Sequence, residues 1–369
     1  MKKIFISLLA LLMLVNVYGH PPQKVKLIAV DKIGKGIAAK FPGDKGIEKH
    51  QSVVFTENFE VGSMEEVLKN WSGNMGGNDH RLSLDLIKGP DGNNGSSLKM
   101  TILRDTSGAG SELKKIFDEG YEQLFFRFYV KFAEDYGYNH HFTSMSGDMN
   151  PTPWHVGRAG LKPTEHYSTT IDLFTHNVNR GSAYSPPGYW FFYSYWPEMK
   201  SWQTPEGNPD GRPNPYYGNN FIPQYPVTAK RGEWQCVEIM IRLNSAPNKN
   251  NGAHAFWIDG ELVGHWDPEE KNPVQGYWIR ENFRHNPEHK DAQPFSGIKW
   301  RTYEDMEKFE KFKINIVKLQ NYVSENSWKQ ADKYAENHPG FTINLQEATV
   351  WKDNIVVATE YIGPIASEK

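Results

Sequence analysis

The stretch Leu124-Phe-Phe-Arg-Phe-Tyr-Val-Lys-Phe132 decides the fold class of this chain. Successive side chains of a β-strand point to opposite faces of a sheet, so a period of two separates an apolar face from a mixed one. The apolar face of this stretch carries Leu124, Phe126, Phe128, Val130 and Phe132. The other face carries Phe125, Arg127, Tyr129 and Lys131. This alternation predicts a strand with one face in a hydrophobic core.

The same alternation recurs along the chain, with clusters of Gly, Pro, Asn and Asp between the runs. The runs that share it are 52–60, 98–104, 168–176, 188–196, 234–244, 255–264, 312–323 and 348–358. Helix signals are limited to 64–70 and to 327–337, where Ser327 is the expected N-cap. Many short alternating runs joined by turn residues predict an all-β sandwich of two antiparallel sheets. The segments 136–166 and 200–230 are long and aromatic, and loops of that length are usually functional.

The composition excludes several classes of protein. The chain has 369 residues, a net charge of -3, one Cys and 14% aromatic residues. A disordered chain would lack so many aromatic residues, and a single Cys cannot build a disulfide scaffold. The near-neutral charge argues against a nucleic-acid partner, since such proteins need clustered Lys and Arg. A globular protein with aromatic surface remains, and flat rings of that kind stack on sugars as well as fill β-rich cores.

The N-terminus has the pattern of a secretory signal. Lys2 and Lys3 precede an apolar run over 4–17, and small residues lead to an expected cleavage after Gly19. We therefore expect a signal peptide at 1–19, a loosely packed leader at 20–50 and one β domain at 51–369. A secreted or periplasmic bacterial protein follows from the signal and from the lack of disulfide potential. No run is long enough to span a membrane, so no membrane partner is expected, and the protein is expected to be a monomer.

Four runs carry a resemblance to a known family. They are 121–132, 234–244, the hairpin Phe256-Trp-Ile-Asp-Gly-Glu-Leu-Val263, and the closing run 350–363. Together they resemble the concanavalin A-like jelly-roll family, specifically the polysaccharide lyases that cleave alginate or glucuronan. The resemblance implies a jelly roll, an acidic polysaccharide or oligosaccharide as partner, and cleavage by β-elimination with no required cofactor. His140 and His141 stand where those lyases carry a stretch that begins with a basic residue.

The chemistry of β-elimination suggests which residues act. A cation or an amide must neutralise the uronate carboxylate so that charge can accumulate in the transition state. A Tyr or His removes the neighbouring proton, and a Tyr often donates one to the leaving oxygen. By resemblance, Tyr195 is the expected catalytic tyrosine, and His176 or His141 is the expected base. Arg127 or Arg158 is expected to hold the carboxylate.

Further residues are expected to contact the substrate. Tyr189, Tyr193 and Tyr195 alternate along one run, so they face the same side of a sheet. Tryptophans of the loops and strands are candidate stacking platforms for sugar rings. The substrate-binding residues that we predict are Tyr189, Tyr193, Asp172, Trp154, Trp196, Trp300 and Arg242.

Two other functions stay open at this point. A non-catalytic glycan-binding protein could have the same composition and fold, because fold does not imply activity. A retaining glycosidase needs two carboxylates ~5 Å apart. The run Thr170-Ile-Asp-Leu-Phe-Thr175 has Asp172 at the centre of the corresponding pattern but Thr at both outer positions. A hydrolase would then need another pair, such as Asp172 and Glu238.

Two metal sites are also conceivable. Jelly rolls of this family often bind a structural calcium ion between the opening and closing strands, where Glu60 (or Glu57) and Asp353 stand, and hard oxygen ligands suit calcium. The alternative is a pair of unpartnered surface carboxylates. His140 and His141 could bind a metal with another nearby histidine, His155 or His166, although their spacing matches no zinc motif.

Overall fold

The structure is a computed structural model that describes residues 35–77, 79–106, 110–177, 182–200, 216–268, 276–279, 292–293 and 297–367. The strands are β1 (Val53–Glu57), β2 (Gly73–Met75), β3 (Leu82–Lys88), β4 (Asn94–Leu103), β5 (Gly110–Tyr121), β6 (Gln123–Phe132), β7 (Thr143–Asp148), β8 (His166–Phe174), β9 (His176–Asn177), β10 (Ser182–Ala183), β11 (Tyr189–Tyr195), β12 (Asn219–Pro223), β13 (Trp234–Arg242), β14 (Ala253–Ile258), β15 (Glu261–Trp266), β16 (Gly276–Ile279), β17 (Ala292–Gln293), β18 (Ile314–Tyr322) and β19 (Glu347–Ala358). The helices are α1 (Met64–Asn70), α2 (Met306–Lys311) and α3 (Glu325–Asn337).

Two antiparallel sheets form the body of the described chain. The eight-stranded sheet has the order β15-β14-β13-β6-β19-β4-β3, with β1 paired to β19. The nine-stranded sheet has the order β17-β16-β12-β11-β8-β7-β18-β5-β2. This arrangement confirms the predicted all-β jelly-roll sandwich. Helices are few, and among the described residues none is long and apolar enough to cross a membrane.

The core lies between the two sheets, and the predicted faces of β6 are confirmed. Phe126 and Phe128 are fully buried in this core, opposite Ile171 of β8 and Trp190 and Phe192 of β11. Burying each such side chain contributes about 1.5–3 kcal/mol relative to leaving it in water. The aromatic side chains therefore contribute mainly to the hydrophobic contact between the two sheets.

The second face of β6 is also buried, by the two ends of the described chain. Ile37, Ile47 and Tyr361 pack with Phe125 and Trp257 into a smaller apolar cluster on the outer side of the eight-stranded sheet. The segment from residue 35 onward is therefore packed against the sheet, unlike the loose leader expected from its Gly and Lys content. The predicted signal peptide at 1–19 lies outside the described residues.

Strands β7 and β12 lie within the segments 136–166 and 200–230, which were expected to be loops. Two further elements differ from the sequence prediction for local reasons. Helix α3 begins at Glu325, and its N-cap is Ser324, whose side chain accepts a hydrogen bond from the backbone N–H of Ser327 at 3.2 Å. Strand β5 was not predicted because its outer face carries charged residues, Glu112 and Lys114, which are uncommon in strands. Those charges turn out to lie at one end of the candidate site.

Candidate functional site

One row of directly paired residues crosses the outer face of the nine-stranded sheet. From β5 through β18, β7, β8 and β11 to β12 it consists of Lys114, Lys318, Ser144, Thr170, Tyr193 and Asn220. Their sequence neighbours point the other way into the core, as Leu113, Val317 and Ile171 do. The strand alternation thus builds a polar and aromatic surface over an apolar core.

A loop borders this face on one side. Lys114 Nζ donates to the carbonyl oxygens of Trp154 at 2.7 Å and of Thr152 at 3.3 Å. Further along, the backbone of Gly160 pairs with Tyr216, next to the entry of β12. The loop therefore runs from the β5 edge towards β12, within the long segment 136–166 that the sequence marked as functional.

A small pocket of about 90 Å³ opens beside the row, between the ends of β8 and β11 and helix α3. Its lining includes His141, Asp172, Tyr193, Asn139, Asn220 and Gln330. The side-chain amides of Asn139 and Asn220 are buried, and among the described residues they have no hydrogen-bond partner. Buried amides without partners are rare, because each leaves a desolvation cost of about 1–3 kcal/mol uncompensated.

His141 and Asp172 form a hydrogen-bonded pair in this pocket. Asp172 is 2% exposed, and its Oδ2 lies 2.9 Å from His141 Nδ1. Its Oδ1 accepts the backbone N–H of Phe142 at 2.6 Å. Because a carboxylate accepts hydrogen bonds, this contact selects the tautomer of the neutral ring in which Nδ1 carries the proton and Nε2 the lone pair. The imidazole is 30% exposed, so it is both oriented and accessible.

Two tyrosines of β11 stand next to this pair. The ring of Tyr193 lies 5.2 Å from the ring of His141, and its hydroxyl lies 3.5 Å from that of Tyr195. Burial raises the pKa of both hydroxyls, although the backbone N–H of Gly218 faces them and lowers it in part. Both tyrosines therefore hold their protons at neutral pH.

Gly218 is required by this packing. A Cβ atom at that position would lie 2.4–2.6 Å from three carbons of the Tyr193 ring. Since real Cβ contacts are not that close, only glycine allows the chain to pass against the ring without displacing it.

The structure does not bring Arg127 to this site. Arg127 lies on the eight-stranded sheet and is fully buried, where it pairs with Asp44. Its guanidinium also donates to the carbonyl oxygens of Asn354 and Gly363. This network fastens both ends of the described chain to β6, which is a structural role.

Other predicted substrate contacts are also elsewhere. Arg242 pairs with Asp267 at 2.8 Å near the edge of the eight-stranded sheet. Trp196 and Trp300 are 5% and 0% exposed and belong to the core between the sheets. The periodicity of a strand does not distinguish a core tryptophan from a sugar platform, because both occupy one face.

The remaining predicted residues lie on or near the outer face of the nine-stranded sheet. Tyr189 is buried against Phe174 in an aromatic cluster beside the pocket. Arg158, on the bordering loop, pairs with Asp148 at 2.6 Å. Trp154 is 72% exposed at the β5 end. The side chain of His176 lies outside the described part of the structure.

The carboxylate pair suggested for a hydrolase is not formed. Glu238 belongs to β13 of the eight-stranded sheet, whereas Asp172 belongs to β8 of the other sheet. Glu238 accepts the backbone N–H groups of Ile362 and Gly363 at 2.7 and 2.8 Å. Burial raises its pKa to about 7. The two carboxylates lie on the outer faces of different sheets with the core between them, so they cannot flank one glycosidic bond.

The residues expected to bind calcium lie near one another at the eight-stranded sheet. Asp353 accepts hydrogen bonds from the Ser97 hydroxyl and the Asn354 N–H, and Glu60 accepts the Ser96 N–H. Burial, with Glu60 and Asp91 nearby, raises the pKa of Asp353 to about 7. Among the described residues no three His, Cys, Asp or Glu side chains are arranged to hold a metal ion. Calcium therefore stays a prediction, and the histidine cluster is not arranged as a metal site either.

Sequence reasoning missed the amides and lysines of this face. Asn139 and Asn220 stand in segments without clear alternation, and Lys114 is on β5, which was not predicted. Lys318 lies within a predicted strand, so its alternation with Val317 and Leu319 could have placed it on the outer face. Nothing local to the amides indicates that they meet in one pocket.

Comparison with known proteins gives structural matches only. No family model and no curated protein matches the sequence. An alginate lyase, vAL-1 from Chlorella virus, is similar at 12% identity and a TM-score of 0.48, over 84% of this chain and 100% of that one. Alginate lyase Aly36B matches at 14% and 0.46, over 85% and 98% of the two chains. An endo-β-1,4-glucuronan lyase from the fungus Trichoderma reesei matches at 14% and 0.39, over 83% and 95%. The activities are those of the matched proteins.

Proposed function

We propose that this protein is a polysaccharide lyase that cleaves a uronate-containing polysaccharide by β-elimination. The observation that carries the proposal is that an oriented histidine, Tyr193 and two buried amides without a partner among the described residues line one pocket, with the Tyr195 hydroxyl next to that of Tyr193. These are the groups that take a proton, return a proton and neutralise a carboxylate. A pocket of a glycan-binding protein needs no oriented base.

His141 is the proposed base. In the neutral ring Nδ1–H donates to Asp172, so the lone pair is on Nε2 of an oriented and partly exposed imidazole. An orienting carboxylate also stabilises the imidazolium that forms when the base takes a proton. Asp172 therefore acts as a positioning residue through His141.

Tyr195 is the proposed acid, with Tyr193 as its hydrogen-bond partner. A phenol that keeps its proton at neutral pH can donate it to the glycosidic oxygen as that bond breaks. Tyr195 is the less buried of the two, so its hydroxyl is the more accessible to a bound chain. Tyr193 and the Gly218 N–H can then stabilise the phenolate that results.

Asn139 and Asn220 are proposed to bind the uronate carboxylate. Amide N–H groups already desolvated in a pocket stabilise an anion without reorganisation of water. The elimination then proceeds as follows. The proton on the carbon next to the carboxylate moves to His141 Nε2, its electron pair forms the new C=C bond, the bond to the leaving oxygen breaks, and Tyr195 protonates that oxygen.

The test is to incubate the protein with alginate, glucuronan and other uronate polymers and to follow the ultraviolet absorbance of the unsaturated uronide. We expect absorbance to appear with one of them. His141→Gln should lower kcat by about 10²- to 10⁴-fold. The matched control His338→Gln, on an exposed histidine after α3, should not change it. Reducing ends without absorbance would indicate a hydrolase, and binding without either product would indicate a glycan-binding protein.

We also propose that the protein is secreted after cleavage near Gly19 and acts as a monomer. N-terminal sequencing of the protein recovered from the producing cells tests the first statement, and it fails if residues 1–19 are retained. Sedimentation of the purified protein tests the second.

A further inference from the structure

We propose that the outer face of the nine-stranded sheet has a second anionic-sugar subsite, formed by Lys318 and Trp154. This subsite would bind the carboxylate and ring of a uronate unit other than the one that is cleaved. The inference rests on the proposed function and deepens it, because it selects polymers with repeated acidic units as substrates.

The position of Lys318 supports a separate subsite on the same surface. Lys318 pairs in register with Ser144, which pairs with Thr170, which pairs with Tyr193. Three inter-strand spacings therefore separate Lys318 from Tyr193, about 14 Å. The hydroxyl-bearing residues between them leave a polar path from the pocket to the lysine. A single uronate cannot reach both places, whereas an oligosaccharide can.

The charge around Lys318 favours an anion. Glu112 is 3% exposed and faces both Lys114, at 3.5 Å, and Lys318, at 3.3 Å. Two lysines against one glutamate leave one positive charge in excess. Among the described residues Glu112 is the single acceptor at Lys318 Nζ. An ammonium has three N–H donors, so the others can donate to a ligand. Lys318 is 21% exposed and can reach a ligand.

Trp154 is an exposed side chain at the same end of this face. Its side chain is 72% exposed, yet its backbone is held firmly in place. Lys114 donates to the carbonyls of Thr152 and Trp154, and Pro153 packs so closely on Gly73 that a Cβ there would lie 2.1 Å from the Pro153 oxygen. An exposed indole on an anchored loop presents a flat apolar face in a fixed place, and a sugar ring can stack on it.

The experiment compares Lys318→Gln and Trp154→Ala with the wild type on a long polyuronate and on the shortest oligosaccharide that the wild type cleaves. We expect each variant to raise KM on the polymer about tenfold with kcat unchanged, as loss of one charged or stacking contact implies. Neither should alter the kinetics on the shortest substrate. Lys318→Gln should also reduce the salt dependence of KM. Lys308→Gln, on the exposed face of α2, is the matched control.

Unchanged KM on the polymer, or equal losses on long and short substrates, would overturn the subsite. Direct titration of the polyuronate separates this inference from the proposed function. If the wild type binds the polymer without cleaving it, and Lys318→Gln weakens binding about tenfold, the subsite stands and the lyase proposal fails. If the wild type cleaves the polymer and both variants bind it like the wild type, the lyase proposal stands and the subsite fails. If the wild type does not bind it, both fail.

Discussion

The Nδ1 atom of His141 lies 2.9 Å from Oδ2 of Asp172, and this contact joins the segment before β7 to the C-terminal end of β8. The other oxygen of Asp172 accepts a hydrogen bond from the backbone N–H of Phe142, the residue next to His141. One buried carboxylate thus fixes both the ring and the main chain that carries it. The precision of the pocket depends on this residue although it does not contact substrate in the proposed mechanism.

Asp172→Asn should lower kcat by about 10²- to 10⁴-fold while the protein remains folded. The amide has one acceptor oxygen for two donors, so either His141 or the Phe142 N–H loses its partner. We also expect the pH profile of kcat to change, because the tautomer of His141 is no longer held. Asp118→Asn, an exposed position on β5, is the control for kinetics and for the melting temperature. A normal kcat in a folded Asp172→Asn protein would contradict the assigned role.

Tyr195→Phe should abolish most of kcat with little change in KM, because it removes the proton donor and keeps the ring. Tyr193→Phe should have a smaller effect, since it removes only the hydrogen-bond partner 3.5 Å away. Because burial raises the pKa of both hydroxyls, any loss of activity from tyrosine ionisation is expected only at a higher pH than for an exposed tyrosine. Initial rates across pH for the three proteins check this. Full activity in Tyr195→Phe would assign the acid elsewhere.

Gly218→Ala should lower kcat by about 10²-fold, although alanine has no chemistry of its own. The added Cβ would lie 2.4–2.6 Å from the Tyr193 ring, so the ring must move, and a displacement of about 1 Å in an active site can cost that much. Gly340→Ala is a matched control, because no atom lies within 4 Å of the Cβ it would add. Equal activities of the two variants would mean that the ring of Tyr193 need not be held in place.

Asp353 should make stability depend on pH. Burial and the neighbouring Glu60 and Asp91 raise its pKa from 3.8 to about 7, so the folded protein keeps this proton while the unfolded chain releases it. Its contribution to stability is therefore lost as pH rises from about 4 to about 7. In EDTA, the melting temperature of the wild type relative to Asp353→Asn should fall by several degrees over that range.

Calcium is tested in the same experiment. An ion held by Glu60 and Asp353 would remove the cost of ionising Asp353. Ca²⁺ at pH 7.5 should then raise the melting temperature of the wild type and leave Asp353→Asn unchanged. An equal response of the two proteins would contradict the sequence-based prediction of a calcium site.

The sequence predicted the features that depend on neighbours along the chain. Alternation in 124–132 assigned the core face of β6 correctly, and alternation in 188–196 placed Tyr193 and Tyr195 on one side of β11. These predictions succeed because the direction of a side chain in a strand is set by its own backbone. The same reasoning put Asp172 on the opposite face from Ile171 and Leu173.

Only the tertiary structure decided which residues meet. Arg127 was predicted to hold the uronate carboxylate, but it pairs with Asp44 on the outer side of the eight-stranded sheet. Asn139 and Asn220 gave no local signal, yet they line one pocket with His141. The register between strands far apart in sequence determines such meetings, and it follows from the packing of the whole sandwich. Local alternation therefore determined the faces of this protein, whereas non-local pairing determined its site.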